Sequence, residues 1–283
     1  RPRTAFRSTG PGRKGGARNR MMTLMGQRHK PRTDITEQKE KEINLNRTLD
    51  ELSRSNAELE RFAFVAAHDL QEPVRSIVSF AQLIDRNLAD KLSASDRELL
   101  DFITAGALRM RDLVLDLLSY SRVSNTYEPH ALVDLNVCAQ EAMSNLNSAI
   151  SDSKCEIFVS PLPIVRANKI QMTQLFQNLF SNSIKFRRPD CKVSISVSQK
   201  EDNDFITITV ADTGIGIDMN YKEEVFSIFR RLHPIGSYPG TGIGLAICKR
   251  IVESHGGFIW IEPGEPVGTN VKFSIPHPGL LKH

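Results

Sequence analysis

From Ile35 onward the chain carries an apolar repeat that leaves few folds open to it. One row runs through Leu49, Asn56, Ala63, Leu70, Ile77 and Ile84, a second through Leu45, Leu52, Leu59, Ala66, Pro73 and Phe80. The rows interleave at alternating spacings of four and three, the face of a coiled coil. Such a stripe is covered either by the chain's own domain or by a partner helix. The charged flanks offer no second apolar face, which favours a parallel pair over a lone amphipathic helix. Asn56 is polar on the seam, the residue type that sets register and two-strandedness at some cost in stability. A second helix is expected from Ser95, with Ser95 and Glu98 as a capping box. Along it Ile103, Ala107, Met110, Val114 and Leu117 repeat at the same spacing. Two such helices and a short loop make a hairpin, and two hairpins bury both stripes as a four-helix bundle.

His68 falls opposite the seam in this phase and is therefore expected at the surface. Asp69 stands beside it, and Pro73 follows five residues later. Pro73 lacks the N–H that would bond to the carbonyl of Asp69, so the helix is loosened there and a bend is expected. A histidine with an adjacent carboxylate on such a turn is equipped as a nucleophile with its helper. Alone, the pair also fits an ordinary surface histidine.

With 283 residues the chain has room for about two domains. Charged residues at 25% and hydrophobic ones at 40% place it in the soluble globular class. There is no apolar run of ~18 residues to span a bilayer and no basic-then-apolar leader. Cys138, Cys155, Cys191 and Cys248 lie far apart without a Cys-x-x-Cys pair. That speaks against zinc and against a disulfide framework, and fits a reducing cytoplasm. The net charge of +4 belongs to the first 34 residues, which hold ten Lys/Arg and one acid; the other 249 sum to −5. A tail rich in Arg, Gly and Pro reads as a flexible, solvated segment in preference to a nucleic-acid or lipid contact. Because it opens on Arg1 instead of Met, the chain is expected to be a fragment of a longer protein.

The second half differs in texture. Ser124 to His130, polar with Pro129, reads as a linker. Apolar alternation predicts strands over Cys155–Val159, Cys191–Val197, Phe205–Val210, Phe258–Ile261 and Val271–Ile275. Helices are expected over Val137–Ile150, Ile170–Phe186 and Ile243–Ser254. Strands and helices without steady alternation suggest an α+β two-layer sandwich.

Three segments of this half carry chemistry. On the helix over 170–186, Gln174, Asn178, Asn182 and Lys185 share one face, opposite Leu175, Leu179 and Phe180. Amide oxygens are hard donors suited to Mg²⁺, and a lysine suits phosphate as a point charge; a plain solvated face has the same pattern. Next, Asp212-Thr213-Gly214-Ile215-Gly216 puts a carboxylate at a strand end, where it can accept a hydrogen bond from an exocyclic amine such as adenine's. Its glycines let a flat base approach the backbone, although Asp-Thr-Gly is also common turn chemistry. Last, Gly240-Thr241-Gly242-Ile243-Gly244 opens a helix and makes an anion site suited to a polyphosphate. It is not a P-loop, since no Gly-Lys-Ser/Thr follows.

In order, Asn178/Asn182, Asp212/Gly214/Gly216, Phe226/Phe229 and Gly240/Gly242/Gly244 resemble the N, first glycine, F and second glycine boxes of one ATPase fold. Sensor histidine kinases, heat-shock chaperones, topoisomerases and mismatch-repair ATPases share that fold. His68 on a dimerising hairpin upstream singles out the core of a two-component sensor histidine kinase. His-Asp-Leu-Gln-Glu-Pro and Tyr-Pro-Gly-Thr-Gly-Ile-Gly-Leu-Ala-Ile-Cys are similar to its phytochrome-like subgroup, and the resemblance covers about residues 34–276.

The resemblance implies a multidomain chain: an all-α dimeric helical hairpin, then an α+β two-layer sandwich that binds ATP. Residues 1–33 form a basic segment or sensor remnant, 34–61 a coiled-coil signalling helix, 62–123 the phosphotransfer hairpin, 124–130 a linker, 131–276 the ATP-binding domain and 277–283 a tail. It makes His68 the phosphoacceptor and Asp69 the group that orients its imidazole. Asn182 becomes the Mg²⁺ ligand, Asn178 and Lys185 phosphate-side residues, and Asp212, with Gly214 and Gly216, the reader of adenine. Gly240, Gly242 and Gly244 flank the triphosphate, Arg231 approaches the γ-phosphate, and Thr269 supports the adenine pocket. Phe226 and Phe229 anchor a short lid between Arg231 and Gly240, with Gly236 and Gly240 at its ends. Implied partners are a second copy of the chain, ATP and the receiver domain of a response regulator, with no specific nucleic acid. Asp34-Ile35-Thr36 resembles the exit of a PAS sensor domain, so a PAS or phytochrome-like input module is expected upstream, absent from this chain. Many family members carry Thr or Asn four residues after the histidine, where it helps hydrolyse the partner's phosphoaspartate; Glu72 stands there, so weak phosphatase activity is expected. A plain ATPase and a nucleotide-gated dimeric scaffold are the alternatives, and the presence of every box together with His68 disfavours both.

Overall fold

The computed structural model describes residues 32–88, 91–125, 131–189, 191–202, 204–232, 238 and 240–277. Most of the basic segment, residues 126–130 of the expected linker and residues 278–283 lie outside them. Contacts divide the chain into a unit ending at Glu58 and a unit beginning at Leu59. Among the described residues no helix is long and apolar enough to cross a membrane.

Helix α1 (Arg32–Leu88) starts two residues before the expected coiled-coil boundary and holds Pro73 in its interior. In the first unit, residues 39–51 are exposed throughout, Leu45 and Leu49 included. Arg47 pairs with Glu51 and Arg54 with Glu58, each one turn apart, contacts worth only a few tenths of a kcal/mol on an exposed helix. The side chains of the seam positions Leu52, Asn56, Leu59 and Ala63 lie outside those described.

In the second unit α2 (Ala94–Asn125) follows α1, continuing two residues into the expected linker. Its cap is not the expected Ser95–Glu98 box. Ser93 Oγ accepts the N–H of Asp96 at 3.2 Å, and the Asp96 carboxylate accepts the Ser93 N–H at 3.0 Å and its hydroxyl at 2.6 Å. The shorter acid closes the same reciprocal loop two residues earlier, and these bonds hold the Asp96 carboxyl below its usual range. Among the described residues of α1, Ala67, Val74 and Ala81, seven apart, are buried, and Ala67 packs with Val114 and Leu118 of α2. The seam residues Leu70, Ile77, Phe80 and Ile84 stay 41% to 65% exposed in the single chain. The stripe expected on α2 is shared out: Ala107 and Val114 are buried, whereas Ile103 and Met110 are exposed.

The remaining elements form a two-layer domain. A five-stranded mixed sheet runs β2 (Glu156–Val159), β4 (Ser194–Glu201), β5 (Phe205–Asp212), β7 (Thr269–Pro276), β6 (Ile259–Pro263), with only the β2–β4 pair parallel. Strand β5 alternates, Ile206, Ile208 and Val210 being fully buried. They meet the apolar face of α5 (Lys169–Lys185), where Phe176 packs edge-on against Phe273 at 6.0 Å. Burying one such side chain contributes about 1.5–3 kcal/mol. The other face of the sheet is polar: Lys272 Nζ lies 2.6 Å from Glu262, which also accepts the indole N–H of Trp260. One wet face is usual where antiparallel pairing dominates.

The single helix expected over 137–150 is two, α3 (Leu135–Asn145) and α4 (Asn147–Ser153), broken at Leu146 between two asparagines of low helix propensity. Strands β1 (Ala131–Asp134) and β3 (Ile164–Ala167) pair antiparallel outside any expected strand; four residues are too few for alternation to stand out. Asn168 caps α5 by accepting the N–H of Gln171 at 3.1 Å, and its own N–H donates to buried His255 Nε2 at 3.0 Å. His255 Nδ1 in turn bonds the Ile251 carbonyl at 2.7 Å. This ties the start of α5 to the end of α6 (Gly244–Ser254).

Candidate active site

With one face of α5 committed to the sheet, its polar face borders a cavity of about 630 Å³. Asn178, Asn182 and Lys185 line it, one turn apart. Gln174, on the same stripe, instead donates to Ser119 Oγ of α2 at 3.0 Å and so joins the two helices. Asn178 Nδ2 reaches the Gly244 carbonyl at 3.4 Å, joining the stripe to the glycine-rich loop. Burial and the neighbouring Arg231 charge pull the Lys185 ammonium below its usual range, against the opposing Asp116 charge. Its Nζ lies 4.5 Å from the centre of the Phe186 ring, a cation–π contact.

Asp212 ends β5 inside the same cavity. Its Oδ1 accepts the N–H of Gly214 at 2.8 Å and of Thr269 at 3.3 Å, and Ser183 Oγ lies 3.2 Å from Oδ2. Burial pushes the carboxyl above its usual range, and these three bonds hold it down. Gly214 does not line the cavity; it packs the turn against α5, where a Cβ would come 2.7 Å from the Phe186 carbonyl. Gly216 and Thr269 do line it.

The second glycine segment lines the cavity beside the α5 stripe and leads into α6, which starts without a side-chain cap. Gly242 has φ +81°, and a Cβ there would lie 2.9 Å from the Arg230 carbonyl, so only glycine fits beside that backbone. Gly240 and Gly244 also face the cavity. Arg231 lines it and donates to the Tyr238 carbonyl at 2.7 Å, while Tyr238 packs on Phe186 at 5.0 Å. Phe226 is buried with Val225 and Ile261. Phe229 is not an anchor: it is 58% exposed and its φ is +63°, a strained setting for an aromatic residue. Gly236 lies outside the described residues.

Sequence reasoning missed two acids of α2. Asp112 and Asp116 line the cavity, and Asp116 Oδ2 accepts the Thr241 hydroxyl at 2.5 Å. Burial raises the Asp116 carboxyl, the Thr241 bond lowers it, Asp112 raises it and Lys185 lowers it. Nothing local marks these residues, which read as polar positions of an amphipathic helix. Further along, Arg250 of α6 stacks over Tyr120 of α2 at 4.6 Å.

His68 and Asp69 are not brought to the cavity. His68 is three-quarters exposed on α1, its Nδ1 3.1 Å from Asp69 Oδ1. A carboxylate can only accept, so a neutral ring in this contact donates from Nδ1 and carries its lone pair on Nε2.

Residues 58–126 match the family described as His Kinase A (phospho-acceptor) domain, and residues 167–279 the histidine kinase-, DNA gyrase B- and HSP90-like ATPase family. In that order they make up a histidine kinase core. The chain is 40% identical over 225 residues to phytochrome-like protein Cph1 of Synechocystis sp., covering 80% of this chain and 30% of that protein. It is also 40% identical over 230 residues to cyanobacterial phytochrome A of Nostoc sp., covering 81% and 30%. The chain thus spans about a third of the length of these relatives. The crystal structure of full-length ShkA in complex with AMPPNP shares the fold, with a TM-score of 0.58 at 24% identity over 76% of this chain and 45% of that one. The chain belongs to the histidine kinases, as a core of the phytochrome-like type.

Proposed function

We propose that this chain is an ATP-dependent protein-histidine kinase that phosphorylates His68 and passes the phosphoryl group to an aspartate of a response-regulator receiver domain. The observation that carries the reading is one cavity lined by Asp212, the Asn178/Asn182/Lys185 stripe, Arg231 and the Gly240–Gly244 loop, in a chain that also presents the exposed His68–Asp69 pair.

Asp212 Oδ2 takes the exocyclic amine of adenine, while the Thr269 N–H holds Oδ1. Lys185, Asn178 and the loop amides before α6 hold the phosphates. Mg²⁺ suits this donor set. Among the described residues no three acids, histidines or cysteines form a metal cage, and Mg²⁺ favours substrate phosphates, waters and one or two protein oxygens. Asn182 offers that oxygen, and the ion would neutralise charge on the phosphates. Asp69 orients the neutral imidazole, whose Nε2 lone pair forms the new N–P bond as the bond from the γ-phosphorus to the bridging oxygen breaks and ADP leaves. Arg231 meets the charge that develops on the moving group.

The exposed seam fits a homodimer in which two hairpins form a four-helix bundle. A PAS or phytochrome-like sensor feeding α1 is part of this reading, as is work in the cytoplasm. The test is a chase: protein labelled from γ-labelled ATP and freed of nucleotide is mixed with a receiver domain. Label moving from an acid-labile to an alkali-labile adduct on the receiver is expected. Label that stays on the kinase with every receiver tried, or leaves only as free phosphate, contradicts phosphotransfer. Glu72 predicts that adding ADP and this chain to phosphorylated receiver leaves the receiver's own decay rate nearly unchanged.

A further inference from the structure

Asp212 is fixed by three contacts on two oxygens. The N–H groups of Gly214 and Thr269 occupy Oδ1, while Oδ2 has one near partner, Ser183 Oγ at 3.2 Å. A carboxylate oxygen accepts two hydrogen bonds, so Oδ2 retains one lone pair beyond Ser183. Both residues line the cavity, and Ser183 is buried on the last turn of α5. Its hydroxyl has one proton and two acceptors within reach, Oδ2 and the Leu179 carbonyl at 3.1 Å. The bond to Leu179 is the local one that a helical serine makes by default. The bond to Asp212 spans 29 positions of sequence and exists only because β5 ends beside α5.

We propose that Ser183 is the positioning residue behind base selection: by donating to Oδ2 it sets the carboxylate's rotation and turns the remaining lone pair into the cavity, so that the site prefers a purine with an amine at the six position over one with a carbonyl. This rests on Asp212 being the base-contacting group. A purine carbonyl would bring an acceptor against an acceptor, whereas an amine completes the set. Burial pushes Asp212 toward its protonated form and the Ser183 bond opposes that, so the hydroxyl also preserves the charge that an amine N–H seeks. The Leu179 carbonyl already belongs to the helix ladder, so loss of the hydroxyl falls mainly on Asp212.

The experiment measures dissociation constants of ADP and inosine diphosphate for the whole chain as wild type, Ser183→Ala, Ser183→Thr and Asp212→Asn. The ratio within each variant does not depend on the fraction folded. Wild type is expected to prefer ADP by about tenfold or more. Ser183→Ala is expected to lose about five- to tenfold of ADP affinity with inosine diphosphate nearly unchanged, and Ser183→Thr to restore the preference. Equal weakening of both nucleotides in Ser183→Ala, or no change in the ratio, overturns the proposal. If Asp212→Asn keeps the wild-type ratio, the base-contact reading of Asp212 fails and takes the proposal with it. If Asp212→Asn erases the preference and Ser183→Ala does not, only the role of Ser183 falls.

Discussion

Helices α1 and α5 both carry an apolar stripe, but only α5 finds its cover within the chain. Met172, Leu175, Phe176, Leu179 and Phe180 of α5 are buried against the sheet. Leu70, Ile77, Phe80 and Ile84 of α1 remain exposed, and the contact that α1 does make with α2 runs through small residues such as Ala67. The cavity therefore lies on the polar face of a helix whose other face is locked against the sheet, and α2 completes its lining with Asp112 and Asp116. The hairpin leaves these seam residues uncovered in the single chain, and His68 is exposed on the same helix.

The largest effect that would sharpen this contrast is in the core. Phe176→Ala should destabilise the nucleotide domain by about 3–5 kcal/mol, read as a lowered denaturation midpoint with loss of nucleotide binding. Ile77→Asp should leave that domain's unfolding unchanged yet weaken self-association by about 2–3 kcal/mol, since an unpaired charge would be buried in the bundle; sedimentation reads it. Unchanged association would mean that the seam is not the dimer face. Nucleotide affinity should fall as pH is lowered, and because burial raises Asp212 the fall should begin above the ~3.9 of a free aspartate. The sign follows from the carboxylate: protonation removes the charge that the amine seeks. Asp212→Asn should flatten that part of the profile in a calorimetric titration. Smallest is the cap: Ser93→Ala should cost about 1 kcal/mol, whereas Ser95→Ala should cost almost nothing. Equal effects in a thermal melt would contradict the observed cap.

Much of the fold and of the site is legible in the sequence alone. The heptad rows, His68-Asp69 and the ordered boxes are patterns in which local spacing carries the information, and most residues of the nucleotide boxes fall around one cavity. Gly214 serves differently from its motif's implication, since it donates to Asp212 and packs against the end of α5 without lining the cavity. Phe229, expected to be packed, is exposed. Ser183 and Asp116 escape a reading of the sequence because each matters only through a tertiary neighbour, Asp212 and Thr241 respectively, and neither neighbour is near in sequence. Strands β1 and β3 escape it because four residues cannot display a period.

On the proposed reading, exposed His68 of the hairpin accepts the phosphoryl group of a nucleotide bound in the cavity. Incubation with γ-labelled ATP and Mg²⁺ tests it most directly. Label on the protein that is acid-labile, alkali-stable and absent in His68→Gln is expected. Free phosphate without labelled protein, or label that persists in His68→Gln, would contradict it.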